Sequence, residues 1–190
     1  MRTPKELLER YVEAKDGNRP ALILEFYDPQ AVLTYSIATD TISFPAIVHG
    51  AEAIADTLVG SFGKRFMQCR TYYVCDAIDA ESRRLDRLPW LVVMQEVLTN
   101  ALRIGKGYYR WDFQAAQYGL RVKAMHIHIE RMDAIEDRSA RLLHRIHAEL
   151  DYPWLPPSVL NDGLDRLLSR NTEMDFLRAF KVPQREAPPQ

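Results

Sequence analysis

The chain has 190 residues, of which 47% are hydrophobic and 27% charged, and its formal net charge is −1. This length fits one domain that buries a core without disulfide or metal support. The near-neutral charge argues against general electrostatic binding of nucleic acid, which needs a surplus of basic residues. No apolar run approaches the roughly 18 residues of a membrane span, and no apolar signal segment precedes the first charged helix. We therefore expect a cytoplasmic protein with neither nucleic acid nor membrane as a partner.

The N-terminal segment has the pattern of a capped helix. Thr3 and Glu6 have the spacing of a capping box, and Pro4 suits the first helical turn. Gly17 is typical of the residue that follows a helix. We expect Asn18 to cap a second, shorter helix.

The second helix is predicted to end at Asp28, because a following proline disfavours helical geometry in the residue before it. Ala31–Ile37 is rich in β-branched and aromatic residues and predicts a strand. A long connection over Thr39–His49 follows. Gly50 then opens a third helix, in which apolar residues recur every four positions.

From there the apolar period changes to two, which predicts long strands. Short or charged connections between successive strands indicate an antiparallel meander. Strands of this length must twist and bend, so the sheet is expected to be strongly curved, with the helices packed on one face. The four strand candidates are Gln68–Ile78, Trp90–Leu102, Gly107–Ala115 and Leu120–Met132.

The C-terminal part is predicted to be helical. Asp133–Leu150 is amphipathic, and a proline-rich bend separates it from two shorter candidates, Ser158–Arg170 and Thr172–Phe180. Residues 183–190 are proline-rich and polar, and we expect them to be disordered.

The order of these elements, and three local segments, resemble the nuclear transport factor 2-like superfamily and its SnoaL-like branch. The segments are LILEFYDPQAVLTYS, VHGAEAIADTLVGSF and GYYRWDFQAAQYGLRVKAMHIHIERMD. The resemblance covers roughly residues 3–133. It implies an α+β cone domain over 1–133, with its N-terminal helices on the concave face of the sheet. Residues 134–182 exceed the usual length of the family, and we expect them to form a helical extension packed on the same domain, with its role open. It also implies a pocket inside the cone, but family members range from isomerases, cyclases, dehydratases and hydrolases to non-enzymatic dimers.

Alternation along the last two strands separates the faces of the sheet. Matching apolar positions places one set of side chains under the helices: Tyr109, Trp111, Phe113, Met125, Ile127 and Ile129. A polar set falls on the outer face: Arg110, Asp112, His126 and His128. Because these strands would otherwise leave a broad face in water, we predict a homodimer through this outer face.

His126 and His128 have a spacing at which two imidazoles on one side of a strand bind a metal ion. A third ligand is required, and His49 is the only other histidine near the sheet in chain order. We therefore expect no bound metal. His144 and His147, on the predicted helix of the extension, are interpreted as surface or boundary residues.

The strand Trp90–Leu102 leaves two alternatives open. One face carries Val92, Met94, Glu96 and Leu98. If this face points inward, the Glu96 carboxylate lies among apolar side chains, where burial raises its pKa and suits the group to proton abstraction. If the other face points inward, Gln95 offers a hydrogen bond instead. Glu96 is the candidate catalytic residue on the first alternative.

The pocket is expected to be largely apolar, with at most one or two ionisable groups. Its predicted lining comprises Tyr35, Tyr73, Tyr109, Trp111, Phe113, Met125 and Ile127. Two functions remain open: an enzyme that moves a proton on a small apolar or aromatic substrate without a cofactor, or a non-catalytic homodimer that binds a ligand or another protein.

The two cysteines, Cys69 and Cys75, lie in one predicted strand. Six strand steps separate them by roughly 20 Å, which is beyond disulfide reach. We interpret both as free thiols.

Overall fold

The computed structural model describes residues 2–170 and 172–183. Within these residues the chain forms a curved six-stranded sheet with helices on both faces. The helices are α1 Pro4–Asp16, α2 Pro20–Phe26, α3 Ala51–Ala55, α4 Ser61–Arg65, α5 Arg141–Glu149 and α6 Pro157–Arg170, with a π-helical turn Asp56–Gly60 between α3 and α4 and a final 3-10 helix Thr172–Phe180. The strands are β1 Tyr27–Ile37, β2 Ile47–His49, β3 Phe66–Tyr73, β4 Arg84–Glu96, β5 Leu102–Ala116 and β6 Gly119–Ile135.

The predicted disordered segment 183–190 lies, apart from Pro183, outside the described residues. No helix within 2–170 or 172–183 is both long and apolar enough to cross a membrane.

The start of α1 is as predicted. The Glu6 amide donates to Thr3 Oγ1 at 3.3 Å, and the Thr3 amide donates to Glu6 Oε2 at 2.8 Å, which completes the capping box. The prediction for Asn18 is wrong. Asn18 has a positive φ of 52° in the connection, and α2 begins at Pro20 without a side-chain cap. Asparagine tolerates this left-handed conformation better than most residues, which explains its presence at the turn.

The strand order is β2-β1-β6-β5-β4-β3. The predicted antiparallel meander is found from β3 to β6. The sheet is nevertheless mixed, because β1 pairs with β6 in parallel, as at Leu33 and Met125. Parallel neighbouring strands need a long crossover connection. Here the chain between β1 and β6 contains β2 to β5 and the helices α3 and α4.

Several strand ends differ from the predicted ones. β3 ends at Tyr73, so Cys75 lies beyond it, and neither cysteine is in a disulfide. β4 starts at Arg84, six residues before the predicted Trp90, because the charged segment at its start pairs with β5 despite a register shift near Arg87. β6 continues to Ile135, opposite Leu102 of β5.

The helix predicted over Asp133–Leu150 therefore begins only at Arg141. Its start is marked by Ala140, which has a left-handed backbone, and by Asp137, whose Oδ2 accepts from the Leu143 amide at 2.9 Å.

Each face of the sheet supports its own apolar core. The predicted inner set on β5 and β6 is buried under α1 to α4, as expected from alternation. The extension packs on the outer face of β3, β4 and β5, against Tyr72, Val74, Leu91, Val93, Leu102 and Ile104.

The segment between α5 and α6 runs along the edge strand β3. The Tyr73 amide donates to the Pro153 carbonyl at 2.8 Å, and the Leu155 amide donates to the Tyr73 carbonyl at 2.9 Å. On the cone side, Trp154 packs on the Tyr73 ring and donates from Nε1 to Glu9 of α1 at 2.9 Å. The extension thus covers an edge that would otherwise present unpaired backbone groups.

His147 of α5 lies between the extension and β4. Its Nε2 lies 3.3 Å from the Val93 carbonyl. Burial lowers the pKa of His147 to about 4, with Arg70 and His144 adding to this effect and the Val93 hydrogen bond opposing it. A histidine in the unfolded chain has a pKa near 6.5, so between these values the unfolded chain binds more protons than the native protein.

We therefore predict that the free energy of unfolding falls as the pH is lowered from about 6.5 towards 4. Urea unfolding at pH 7 and at pH 5 measures this difference in the free energy of unfolding. His147→Gln should make the difference smaller. His49→Gln, an exposed control on β2, should leave the difference unchanged. Equal pH dependence in the wild type and His147→Gln would contradict the assignment.

Candidate functional site

A small cavity of about 40 Å³ lies inside the cone, between the sheet and the N-terminal helices. Its walls are almost entirely apolar. The lining comprises Tyr11, Lys15, Tyr35, Ile42, Phe44, Leu58, Phe62, Trp90, Val92, Met94, Tyr109, Ile127, Ile129 and Met132.

Three predicted pocket residues, Tyr35, Tyr109 and Ile127, line this cavity. The other four, Tyr73, Trp111, Phe113 and Met125, are buried in the surrounding core instead. Of these, Tyr73 donates from its hydroxyl to the Leu8 carbonyl at 2.9 Å, and Trp111 stacks on Phe113 with ring centroids 6.2 Å apart.

The two alternatives for β4 are resolved by the packing. Trp90, Val92 and Met94 face the cone, whereas Gln95 lies on the opposite face and accepts from Gln68 Nε2 at 2.9 Å. Glu96 is the last residue of the strand, and its Oε2 accepts from the Thr99 hydroxyl at 2.6 Å in the following turn. The structure does not bring Glu96 to the cavity.

A buried ion pair adjoins the cavity at the end of α1. Lys15 Nζ lies 3.4 Å from Asp16 Oδ1, and the side chains are 8% and 6% exposed. Lys15 also donates to Thr71 Oγ1 at 3.0 Å and to Cys69 Sγ at 3.2 Å, and its ammonium lies 4.3 Å from the Phe62 ring centroid.

Asp16 is held by three donors besides Lys15. Its Oδ2 accepts from the Thr71 amide at 2.6 Å and from the Tyr152 hydroxyl at 2.9 Å, and its Oδ1 accepts from the Thr71 hydroxyl at 2.9 Å. Tyr152 belongs to the segment between α5 and α6. The extension therefore contributes one side chain to this cluster.

The protonation states in the cluster follow from burial and charge. Burial by itself disfavours the Lys15 ammonium, yet the pKa of Lys15 lies above its ordinary value, because the Cys69 sulfur and the Asp16 carboxylate beside it favour the cation. Burial, with the negative charge of Asp16, raises the pKa of Cys69 to about 12. Lys15 is thus a cation and Cys69 a neutral thiol near pH 7.

Lys15 and Asp16 are not among the site residues predicted from the sequence, although one signal was present. Lys15 stands four residues after Tyr11 and seven after Leu8, so it lies on the apolar stripe of α1. A charged residue on such a stripe is buried and requires a partner.

Three donor atoms of residues that line the cavity have no partner among the described residues, and these atoms are not themselves exposed to the cavity. They are the hydroxyls of Tyr11 and Tyr35 and Nε1 of Trp90. Burial raises the pKa of Tyr11 to about 12, against the influence of Lys15 and of the nearby Tyr109 hydroxyl, and raises the pKa of Tyr35 well above its ordinary value. Both phenols therefore keep their protons at neutral pH.

The segment 38–46, which has no helix or strand, covers one side of the cavity. Its Phe44 stacks on Tyr35 with ring centroids 4.8 Å apart and an interplanar angle of 4°. The Arg65 guanidinium lies 5.9 Å from the Phe44 centroid.

The histidine pair lies on the outer face of the sheet, away from the cavity. Ser36 Oγ is 2.9 Å from His126 Nε2 and 2.7 Å from His128 Nδ1, and Thr34 Oγ1 is 2.8 Å from His126 Nδ1. Burial, Arg110 and His128 lower the pKa of His126. Within the described ranges, no group of three or more His, Cys, Asp or Glu residues is placed to hold a metal ion.

No known family profile matches the chain, and no curated protein matches its sequence. Solved structures do match. LinA superimposes with a TM-score of 0.57 at 12% identity, covering 69% of this chain and 86% of LinA. The chain has the nuclear transport factor 2-like fold.

Two further structures support this assignment. A nuclear transport factor 2-like superfamily protein from Salmonella enterica serovar Typhimurium has a TM-score of 0.51 at 14% identity, covering 70% of this chain and 89% of its own. A putative scytalone dehydratase from Novosphingobium aromaticivorans has a TM-score of 0.52 at 15% identity, with 70% and 86% covered. At these identities the similarity extends to the fold and not to the chemistry.

Proposed function

We propose that this protein binds a small, largely apolar molecule in the cone cavity. The observation that supports this most directly is a cavity between the sheet and the N-terminal helices whose exposed walls are apolar and largely aromatic. Ligand sites are lined predominantly by hydrophobic and aromatic side chains in this way.

A ligand has to displace part of the lining. The cavity measures about 40 Å³, whereas sites for drug-sized ligands span roughly 300–1,000 Å³. Phe44 is the side chain best placed to move, because it belongs to the segment 38–46, which has no helix or strand. Ile42 is held more closely, because the carbonyl of neighbouring Thr41 accepts from Arg103 and the Thr41 hydroxyl donates to the Met132 carbonyl.

Binding is better supported than catalysis. Proton transfer needs a base within hydrogen-bond reach of the substrate, and among the described lining residues Lys15 is a cation and the tyrosines are neutral phenols. Asp16 adjoins the cavity, but its oxygens already accept from Thr71 and Tyr152. Glu96 lies in a turn outside the cavity.

A second candidate is cofactor-free elimination of the dehydratase type, which the scytalone dehydratase-like neighbour brings into consideration. It would require a base that the substrate itself or a movement of Asp16 supplies.

Binding can be tested by titrating ethylbenzene and acetophenone into protein with labelled methionine methyl groups. We expect shifts at Met94 and Met132, which line the cavity, and none at Met174, which lies in the outer core. Phe44→Ala should tighten binding, because it removes the ring that a ligand displaces, and Leu98→Ala, at an exposed turn, is the matched control. Unshifted Met94 and Met132 signals in both proteins would reject the proposal.

We also propose a homodimer through the part of the outer face that the extension leaves uncovered. This surface is mixed in polarity: Tyr108 stacks on His128 at 4.6 Å, and Arg87 lies 4.3 Å from the Tyr108 ring centroid. Sedimentation at micromolar concentration should find a dimer that Tyr108→Glu dissociates and Tyr118→Glu, in the β5–β6 turn, does not. A stable wild-type monomer would contradict this.

A further inference from the structure

We infer that Arg103 binds the carboxylate of a monocarboxylic acid whose apolar part enters the cavity. This inference rests on the proposed function of ligand binding and specifies the chemical class of the ligand.

Arg103 lies on the cone face of β5. The residues on either side of it in sequence, Leu102 and Ile104, belong to the outer core, so alternation along the strand turns Arg103 to the inner face. Its pairing partner on β4 is Met94, which lines the cavity. Residues paired in this way have neighbouring side chains on the same face of the sheet.

The segment 38–46 covers the Arg103 side chain. Arg103 donates from Nη2 to the carbonyl of Thr41, and the next residue, Ile42, lines the cavity. The Thr41 hydroxyl donates to the carbonyl of Met132, which also lines it. The guanidinium therefore lies at the end of the cavity that this segment closes.

Arg103 is a buried cation without a balancing anion among the described residues. It is 7% exposed, no Asp or Glu within 2–170 or 172–183 forms an ion pair with it, and its Nε has no hydrogen-bond partner there. The Glu96 carboxylate, at the end of the neighbouring strand, accepts from the Thr99 hydroxyl instead. A guanidinium keeps its proton in a protein, and buried charges are otherwise paired. Lys15, a second buried cation of the cone, has Asp16 as its partner.

The donor groups of Arg103 suit a carboxylate. Nε and Nη2 direct their N–H groups to the same side of a guanidinium, and the two oxygens of a carboxylate accept from such a pair in parallel. The Thr41 carbonyl is a single oxygen, which engages Nη2 and leaves Nε without a partner. A carboxylate in its place would satisfy both donors and balance the charge. A phosphate dianion would leave a buried negative charge uncompensated, which is unfavourable.

Thr41 provides a route from solvent to the guanidinium. It is exposed, and its segment has no helix or strand. A carboxylate that replaces the Thr41 carbonyl on Arg103 releases the contact that holds Ile42, so binding of the ligand's charge opens the wall of the cavity. The apolar part of the ligand then contacts Met94 and Met132.

The test compares hydrocinnamate with hydrocinnamyl alcohol, which share an apolar body and differ in charge. In calorimetry at pH 7 we expect the carboxylate to bind at least about tenfold more tightly, because hydrogen bonds between charged groups are the stronger ones. Arg103→Met should remove this preference and leave the affinity for the alcohol unchanged. Arg121→Met is the matched control, because Arg121 also donates to a backbone carbonyl, that of Tyr27, and it should keep the preference.

A direct measurement of the contact is the Nε–H signal of Arg103 in protein with labelled arginine side chains. Arg103→Met assigns this signal by removing it. Hydrocinnamate should shift the signal in the wild type, and the alcohol should not.

Equal affinities of the two probes for the wild type, or a preference for the carboxylate that survives Arg103→Met, would overturn the inference while leaving ligand binding intact. The first of these comparisons uses the wild type alone and does not depend on the folding of a variant. Absence of binding by both probes, in the wild type and in Phe44→Ala, would overturn the proposed function and this inference with it.

Discussion

Replacing Lys15 with methionine is expected to lower the free energy of unfolding by about 3 kcal/mol, because removing one partner of a buried ion pair leaves the other charge uncompensated. Methionine fills nearly the same space, so packing changes little. Asp16 would keep its hydrogen bonds from Thr71 and Tyr152 but lose its cation. Urea unfolding at pH 7, with the change read from the midpoint at constant slope, measures the effect.

Two variants control for this interpretation. Lys15→Met combined with Asp16→Asn should recover most of the loss, since no buried charge remains and the Thr71 hydroxyl can accept from the new amide. Lys5→Met removes a lysine whose side chain is 58% exposed and should have little effect, as surface ion pairs contribute about 0–1 kcal/mol. A double variant that is less stable than Lys15→Met would show that the charge imbalance is not the cause.

Gly107→Ala is expected to destabilise the protein by about 3 kcal/mol, the upper range for overpacking. Gly107 lies at a register shift between β5 and β6. A Cβ atom there would be 1.9 Å from the His128 carbonyl oxygen and 2.8 Å from Trp90 Cζ2. The first contact is with backbone in a paired strand, so relief requires that the strands separate locally.

Gly60→Ala is the matched control. Its Cβ atom would meet Asp56 Oδ1 at 2.8 Å, which is the end of a side chain that can rotate away. We expect a change near zero in thermal unfolding, or a small gain, because alanine favours helical backbone. If Gly107→Ala unfolds at the same temperature as Gly60→Ala, the close approach of β5 and β6 is not needed for stability.

The fold could be predicted where local patterns decide it. The capping box of Thr3 and Glu6 and the two-residue period of β5 and β6 gave the correct elements and the correct buried face. The parallel pairing of β1 with β6 could not be predicted, because no local signal relates Leu33 to Met125. The strand start at Arg84 was missed for a related reason: its charged residues resemble a loop until the partner strand is known.

The site was predicted less well than the fold. The alternation of residues along β4 gave, as one of two alternatives, the correct inward face with Met94. It cannot show that the strand ends at Glu96, so that the Glu96 carboxylate lies in a turn and not in the cavity. The ion pair of Lys15 and Asp16 depends on Thr71 and Tyr152, which lie 55 and 136 residues from Asp16. Partners this distant become visible only when the chain is folded.

The parallel pairing of β1 with β6 affects how the protein folds while it is being synthesised on the ribosome. Ser36 and His128, which pair across these strands, are 92 residues apart. At synthesis rates of about 5–20 residues per second, β1 leaves the exit tunnel roughly 5 to 20 seconds before its principal neighbour. During that interval β1 has only the three residues of β2 as a strand partner. Until β6 is synthesised, the side chains of β1 that it later covers stay exposed, so we expect the nascent N-terminal half to be prone to aggregation.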